Sequence, residues 1–195
     1  MNTLFPIEPQ FPEGFQYIPG FITKAEEEHL LGEIKKVTLH TFTFQGYEAK
    51  RKVASFGQDW SFEKRSLSAG APIPEVFYPL IEKVAHRLSI ETEAFQELLV
   101  TEYPAGSVIN WHRDAPPFDV IAGISLLTDA TFRLRPHEKE KQGRGSIISF
   151  PVERRSLYVI AGPSRTDWQH SITPVKQTRY SITLRTLRKK DDNAY

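Results

Sequence analysis

The sequence contains no cysteine. That absence excludes disulfide frameworks, thiolate zinc sites, iron–sulfur clusters and cysteine nucleophiles, leaving His, Asp and Glu as the available metal ligands. An excess of charge of one sign is missing too: 25 Lys and Arg stand against 24 Asp and Glu, a formal net charge of +1. No bulk attraction to a polyanion follows, so local clusters must hold any such partner. No apolar run approaches the roughly 18 residues a membrane span requires. The opening "MNTLFPIEPQFPEGF" is interrupted by Pro, Glu and Gly and lacks the charged-then-apolar order of a signal peptide. No membrane partner is expected, and the chain reads as cytoplasmic and monomeric. What is present is an ordinary globular composition, 39% hydrophobic and 25% charged over 195 residues, suited to one domain with a sizeable core.

The first dozen residues hold three prolines and are expected to run as an extended arm. In "PGFITKAEEEHLLGEIKKV", Thr23 reads as an N-cap with Glu26 completing a capping box, and Leu30, Leu31 and Ile34 supply an apolar face. A second helix is predicted from Pro74 to about Ser89, where Val76, Phe77, Leu80, Ile81, Val84 and Ala85 recur at three and four. From Leu98 onward the texture is β: "LLVTEYPAG", "FDVIAGISLLT", "ATFRLRP", "GSIISF", "SLYVIAG" and "RYSITLRTLR" are short strands between Gly, Pro and polar turns. This predicts a β-dominated α+β domain, a sandwich or barrel with the helices on one outer face. The tail "KKDDNAY", 189–195, is polar.

Chemistry concentrates in "NWHRDAPPF". His112 and Asp114, two apart on an extended chain, emerge on one face. They either grip a metal or share a proton, or they line an ordinary solvated strand. His170 in "TDWQHSI", 58 residues on, offers a second imidazole, its alternative being a core histidine beside Trp168 and Ile172. Two His and one carboxylate suit non-haem Fe(II), although zinc takes the same ligand types. In "TRYSITLR" one strand face carries Arg179, Ser181, Thr183 and Arg185, and the other Tyr180, Ile182 and Leu184. Two guanidiniums on one side of a central strand either face water or bind an anion such as a dicarboxylate.

Taken in order, "TEYPAG", "HRD", "AGPSRTDWQHSI" and "RYSITLR" resemble the AlkB-type Fe(II)- and 2-oxoglutarate-dependent dioxygenases over about residues 96–188. The resemblance implies a single domain over 1–195 with a double-stranded β-helix (jelly-roll) core, N-terminal helices packed on one face, and an N-terminal substrate lid over about residues 40–65. It implies Fe(II), 2-oxoglutarate and dioxygen as cofactor and cosubstrates, with His112, Asp114 and His170 as iron ligands. Arg179 and Tyr103 would meet the distal carboxylate of 2-oxoglutarate, Arg185 would stand near its chelating end, and Thr183 would lie between. Thr101 and Ser181 occupy positions where Asn is usual. The implied reaction is oxidative demethylation of an N-alkylated base, releasing formaldehyde, succinate and CO2. The alternatives are the same chemistry on a protein side chain or small molecule, or a catalytically silent nucleic-acid-binding module.

A nucleic acid is the expected partner, single-stranded or with its target base flipped. The segment "FQGYEAKRKVASFGQDWSF" interleaves Phe44, Tyr47, Phe56, Trp60 and Phe62 with Lys50, Arg51 and Lys52. Aromatic faces that stack on bases, beside cations that neutralise phosphates, suit such a substrate. A hairpin packing its aromatics into the core is the alternative. Trp111, Arg113, Arg133 and Arg135 either extend a positive floor or are scattered surface charge. Pro116 stands where some repair members carry an acidic base-reading residue, and Asp119 is the nearest substitute.

Overall fold

The computed structural model describes residues 10–44, 47–61 and 63–189. Two sheets face one another, and every strand pairing between described residues is antiparallel. The larger sheet holds β1 (Phe15–Ile18), β2 (His40–Phe44), β3 (Tyr47–Ser61), β4 (Ser66–Ala69), β5 (Phe95–Tyr103), β7 (Phe118–Leu126), β10 (Leu157–Ile160) and β12 (Arg179–Leu187). Its order is β1-β10-β7-β12-β5-β3-β2, with β4 on β3. The smaller sheet holds β6 (Ile109–His112), β8 (Ala130–Pro136), β9 (Ile148–Val152) and β11 (Trp168–Ile172), ordered β6-β11-β8-β9. From β6 to β12 the chain passes back and forth between the two sheets, the winding of a double-stranded β-helix.

Two helices cover the outer face of the larger sheet. Helix α1 (Lys24–Ile34) starts as expected: Thr23 Oγ1 accepts from the Glu26 N–H at 3.2 Å, and Glu26 Oε2 accepts from the Thr23 N–H at 2.6 Å. Helix α2 (Tyr78–Leu88) begins later than the apolar pattern predicted. A 3-10 turn over Glu75–Phe77 precedes it, Pro79 stands in its first turn where no N–H partner is needed, and Ser89 closes it in the left-handed region. Leu30, Ile34, Leu80, Ile81, Val84 and Ala85 pack on Leu98, Val100, Ile124, Ile182 and Leu184. Each buried Leu, Ile or Val among them stabilises the fold by about 1.5–3 kcal/mol, and together they fix which face of β5, β7 and β12 is turned toward the other sheet.

That inner face, with Phe132, Leu134 and Phe150 from the smaller sheet, forms a second cluster. Of the expected arm, residues 1–9 fall outside the described part, as do Phe62 and tail residues 190–195. Phe11 packs on Phe15 and Phe150, and β1, which the sequence pattern did not single out, pairs with β10. Strand β3 changes its facing at Gly57, whose φ is +84° and where a Cβ would meet the Gln96 carbonyl oxygen at 2.2 Å. Glycine, without a Cβ, takes that positive φ and lets the carbonyl approach. Before it Val53 and Ser55 share the inner side with their partners Thr101 and Leu99; after it Trp60 packs into the inter-sheet cluster.

Candidate metal centre and cosubstrate cavity

His112 ends β6, and His170 on β11 stands directly across from it, with ring centroids 4.2 Å apart. The Asn110 carbonyl lies 2.9 Å from His112 Nδ1. A carbonyl only accepts, so Nδ1 carries the proton and the Nε2 lone pair is free. Asp114 Oδ2 lies 3.5 Å from His170 Nε2, and one ligand atom from each of the three residues falls within 4.8 Å of the others. Burial, with His112 alongside, pushes the His170 pKa down to about 3, so its ring is neutral. Burial acts to raise the Asp114 carboxyl, but Arg185, His170 and His112 outweigh it and hold it well below the usual carboxylate range. A divalent ion requires neutral imidazoles and an ionised carboxylate of its ligands, and His170 and Asp114 are held in those states.

Arg165, in the short helix α3 (Gly162–Thr166), is 4% exposed. Its Nη2 lies within hydrogen-bond distance of the carbonyls of Asp114 (3.2 Å), Ala115 (2.7 Å) and Phe118 (3.0 Å). One guanidinium thus pins the Pro-Pro turn behind Asp114 to the segment leading into His170. Phe132 stacks on the His170 ring, its centroid 5.5 Å away, and closes that side to water.

On β12 the residues expected to share a face do so, all pointing between the sheets. Arg179 pairs in register with Tyr103, Ser181 with Thr101, Thr183 with Leu99 and Arg185 with Glu97. Arg179 is fully buried; its Nε donates to Ser125 Oγ at 3.0 Å, its guanidinium lies 5.0 Å from the Tyr103 ring centroid, and Nη1 and Nη2 have no hydrogen-bond partner among the described residues. The Ser181 hydroxyl is 3.4 Å from that of Tyr103, and Thr101 and Thr183 are buried alongside. Arg185 is bonded at both ends, through Nη1 to Glu97 Oε2 at 2.6 Å and through Nη2 to Asp114 Oδ1 at 2.9 Å.

Sequence reasoning missed four contributors: Glu97, Ser125, Tyr158 and Arg165. Glu97 is 3% exposed, and burial raises its pKa against the pull of Arg185 and a 3.2 Å bond from Ser55. Tyr158 lies over Gly123, where a Cβ would meet its ring at 2.1 Å, and its hydroxyl makes no hydrogen bond to any described residue. Burial, with Tyr103 close by, pushes its phenol up to about 12. The glycine inside "IAGISL" was the available signal, since a strand glycine often marks a close approach.

The sequence matches the family model of the 2OG-Fe(II) oxygenase superfamily over residues 14–188. The chain belongs to that superfamily. Mouse tRNA (carboxymethyluridine(34)-5-O)-methyltransferase ALKBH8 is 28% identical over 172 residues, covering 85% of this chain and 25% of that protein. Human DNA oxidative demethylase ALKBH2 is 25% identical over 179 residues, covering 84% of this chain and 66% of that protein. The structure of OsALKBH1 superposes with a TM-score of 0.71 at 16% identity, covering 91% of this chain and 99% of that one. The chain therefore spans about a quarter of the mouse relative's length. The AlkB-type resemblance read from the sequence holds, and the jelly-roll fold with it. Among the described residues, no helix of this oxygenase is long and apolar enough to cross a membrane.

The residues expected to meet substrate are dispersed. Of the run Lys50-Arg51-Lys52, Lys50 is exposed and Lys52 stands 3.9 Å from Glu102. Arg51 is half-buried, lies over Phe42 at 4.0 Å, and has its pKa lowered by burial within the fields of Tyr103, Arg185 and Asp114. Phe56 corrects the expectation: its partner Leu98 belongs to the helix-side core, and Phe56 packs there, lining a groove with His40, Ala54 and Phe77 away from the metal ligands. Trp60 lies on the inter-sheet side. Tyr47 pairs with Phe44 at the hairpin end, where neither side chain is within the described part. Arg113 Nη1 donates to the Thr166 carbonyl at 2.7 Å, and Trp111 is flanked by Arg133 and Arg135.

Proposed function

We infer that this oxygenase holds Fe(II) through His112, Asp114 and His170, binds 2-oxoglutarate against Arg179, and oxidatively demethylates N-alkylated bases of nucleic acid. One observation carries the reading: Arg179 is fully buried, and neither terminal nitrogen has a hydrogen-bond partner among the described residues, on the strand face that also bears Arg185, the guanidinium bonded to Asp114. A buried guanidinium without an anion costs several kcal/mol, so the cavity is suited to a carboxylate. The His–Asp–His donor set fits a ferrous ion with positions left for cosubstrates. Bound ferrous iron supplies the oxidation, in which 2-oxoglutarate, dioxygen and a substrate C–H become succinate, CO2 and C–OH.

The chain's own residues orient and protect that chemistry. The Asn110 carbonyl fixes the His112 tautomer, Arg185 takes one oxygen of Asp114 and leaves the other to a metal, and Arg165 steadies the turn behind it. Tyr103 and Ser181 offer hydroxyls beside the Arg179 end. If the oxidised carbon is an N-methyl group, the C–N bond of the resulting hemiaminal breaks, formaldehyde leaves and the proton ends on nitrogen.

Nucleic acid as substrate is supported by relatives named for tRNA and DNA chemistry and by Arg51 and Trp60 on the cavity side of β3. A protein side chain is the second reading, favoured by the exposed Pro116 in place of a base-reading acid. A panel of methylated single-stranded DNA, RNA and peptides, scored for formaldehyde and succinate together, tests this. Coupled release from an oligonucleotide is expected; coupled release from peptides alone would overturn it.

A further inference from the structure

On the outer face of the smaller sheet, Arg133 and Arg135 share one indole. Their guanidinium carbons lie 4.7 and 4.5 Å from the Trp111 ring centroid. Each is also gripped by its cross-strand neighbour in exact register. Arg133 Nε donates to Ser171 Oγ at 3.0 Å and Arg135 Nε to Gln169 Oε1 at 2.8 Å. Neither forms an ion pair with any described residue, and their terminal nitrogens have no described partner. Two like charges held side by side without a carboxylate repel one another unless an anion joins them. The Nε bonds also fix both forks in advance, which lowers the ordering cost of a bidentate contact.

We propose that Trp111, Arg133 and Arg135 form a phosphate-binding platform that holds the backbone of a single nucleic-acid strand beside the catalytic cavity; the proposal rests on the nucleic-acid reading of that cavity. The two arginines are two residues apart on β8, roughly 6.6 Å along the strand, a spacing that matches successive phosphates of one strand. Planar guanidiniums bind phosphate oxygens bidentately, and the Trp111 indole that both contact holds them in place. The platform adjoins the metal site through the chain itself: Trp111 precedes His112, and Gln169 and Ser171 flank His170. A strand held on this face therefore runs past the edge where both histidines turn inward.

The test is fluorescence anisotropy of a labelled single-stranded oligonucleotide over a range of salt, with wild type, Arg133→Gln/Arg135→Gln, and Arg133→Lys/Arg135→Lys. Thermal unfolding and the visible Fe(II)·2-oxoglutarate absorption band establish that each variant is folded. Two lost phosphate contacts flatten the log–log salt slope by about 1.4 and weaken binding about 25-fold at 0.1 M salt. The lysine pair restores the slope but less of the affinity, because a point charge cannot make the forked contact. Unchanged affinity and slope in the glutamine pair would overturn the platform, as would equal competition by inorganic phosphate per phosphate group. The two readings fail separately. Demethylation of nucleic acid with variant-insensitive binding sinks the platform alone, and variant-sensitive binding without any nucleic-acid demethylation sinks the catalytic reading alone.

Discussion

The two ends of β12 present the same side chain in opposite electrostatic states. At one end Arg185 is enclosed with two carboxylates, Glu97 and Asp114, and its charge is more than matched within the chain. At the other, Arg179 is more fully enclosed but meets, among the described residues, a serine hydroxyl and a tyrosine ring and no carboxylate. The difference separates two uses of a buried cation. Arg185 is part of the folded structure whether or not a ligand is present, whereas Arg179, on the function proposed above, is completed by the cosubstrate carboxylate.

The comparison can be erased with acid, where the largest effect is expected. Burial pushes the His170 imidazole down to about 3, below its ordinary value near 6.5. Its contribution to stability is therefore complete above pH 6.5 and is lost as pH falls toward 3, amounting to up to about 5 kcal/mol in the metal-free protein. Asp114, also depressed, adds in the same direction below its ordinary value. Protonating both leaves the Arg185 end as rich in positive charge as the Arg179 end. Urea unfolding from pH 7 to pH 4 measures this, and His170→Gln should flatten the curve; an equally steep curve in that variant would assign the loss elsewhere.

Replacing each arginine sharpens the contrast. Arg185→Met strands Glu97 and Asp114 as uncompensated buried carboxylates and should destabilise the metal-free protein by about 3–5 kcal/mol. Arg179→Met removes a buried charge with no ion-pair partner among the described residues, so the metal-free protein should be no less stable. Its 2-oxoglutarate affinity should nonetheless fall about 100-fold, roughly the 3 kcal/mol of a charge-assisted contact. Equal destabilisation by the two substitutions would show that Arg179 has an internal partner after all. The smallest effect is expected from Tyr158→Phe, which removes a hydroxyl with no described partner near Arg179. A loss of about 1 kcal/mol, or about 5-fold in 2-oxoglutarate affinity with iron binding unchanged, is predicted; a loss of iron binding would contradict it.

What the sequence made legible follows the reach of each interaction. Period-two alternation put Arg179, Ser181, Thr183 and Arg185 on one face because strand geometry enforces it locally, and the Thr23 capping box closes within three residues. Glu97 and Arg165 were not legible, because their partners lie 88 residues away for Glu97 and 47 to 51 for Arg165 and depend on register. The cluster Lys50-Arg51-Lys52 misled for the converse reason. Neighbours on a strand alternate sides, so a run that looks like one basic patch is divided between the two faces of β3. The positive φ at Gly57 then turns the strand, so Phe56 and Trp60, which share a parity, end in different clusters.

Arg165 gives this arrangement a further property. By clasping three carbonyls between Asp114 and Phe118 from a point five residues ahead of His170, it makes the two halves of the His–Asp–His grip interdependent. Loosening either half releases the other. A protein in partial unfolding should accordingly surrender its ion in one step, with no stage at which a lone histidine retains it.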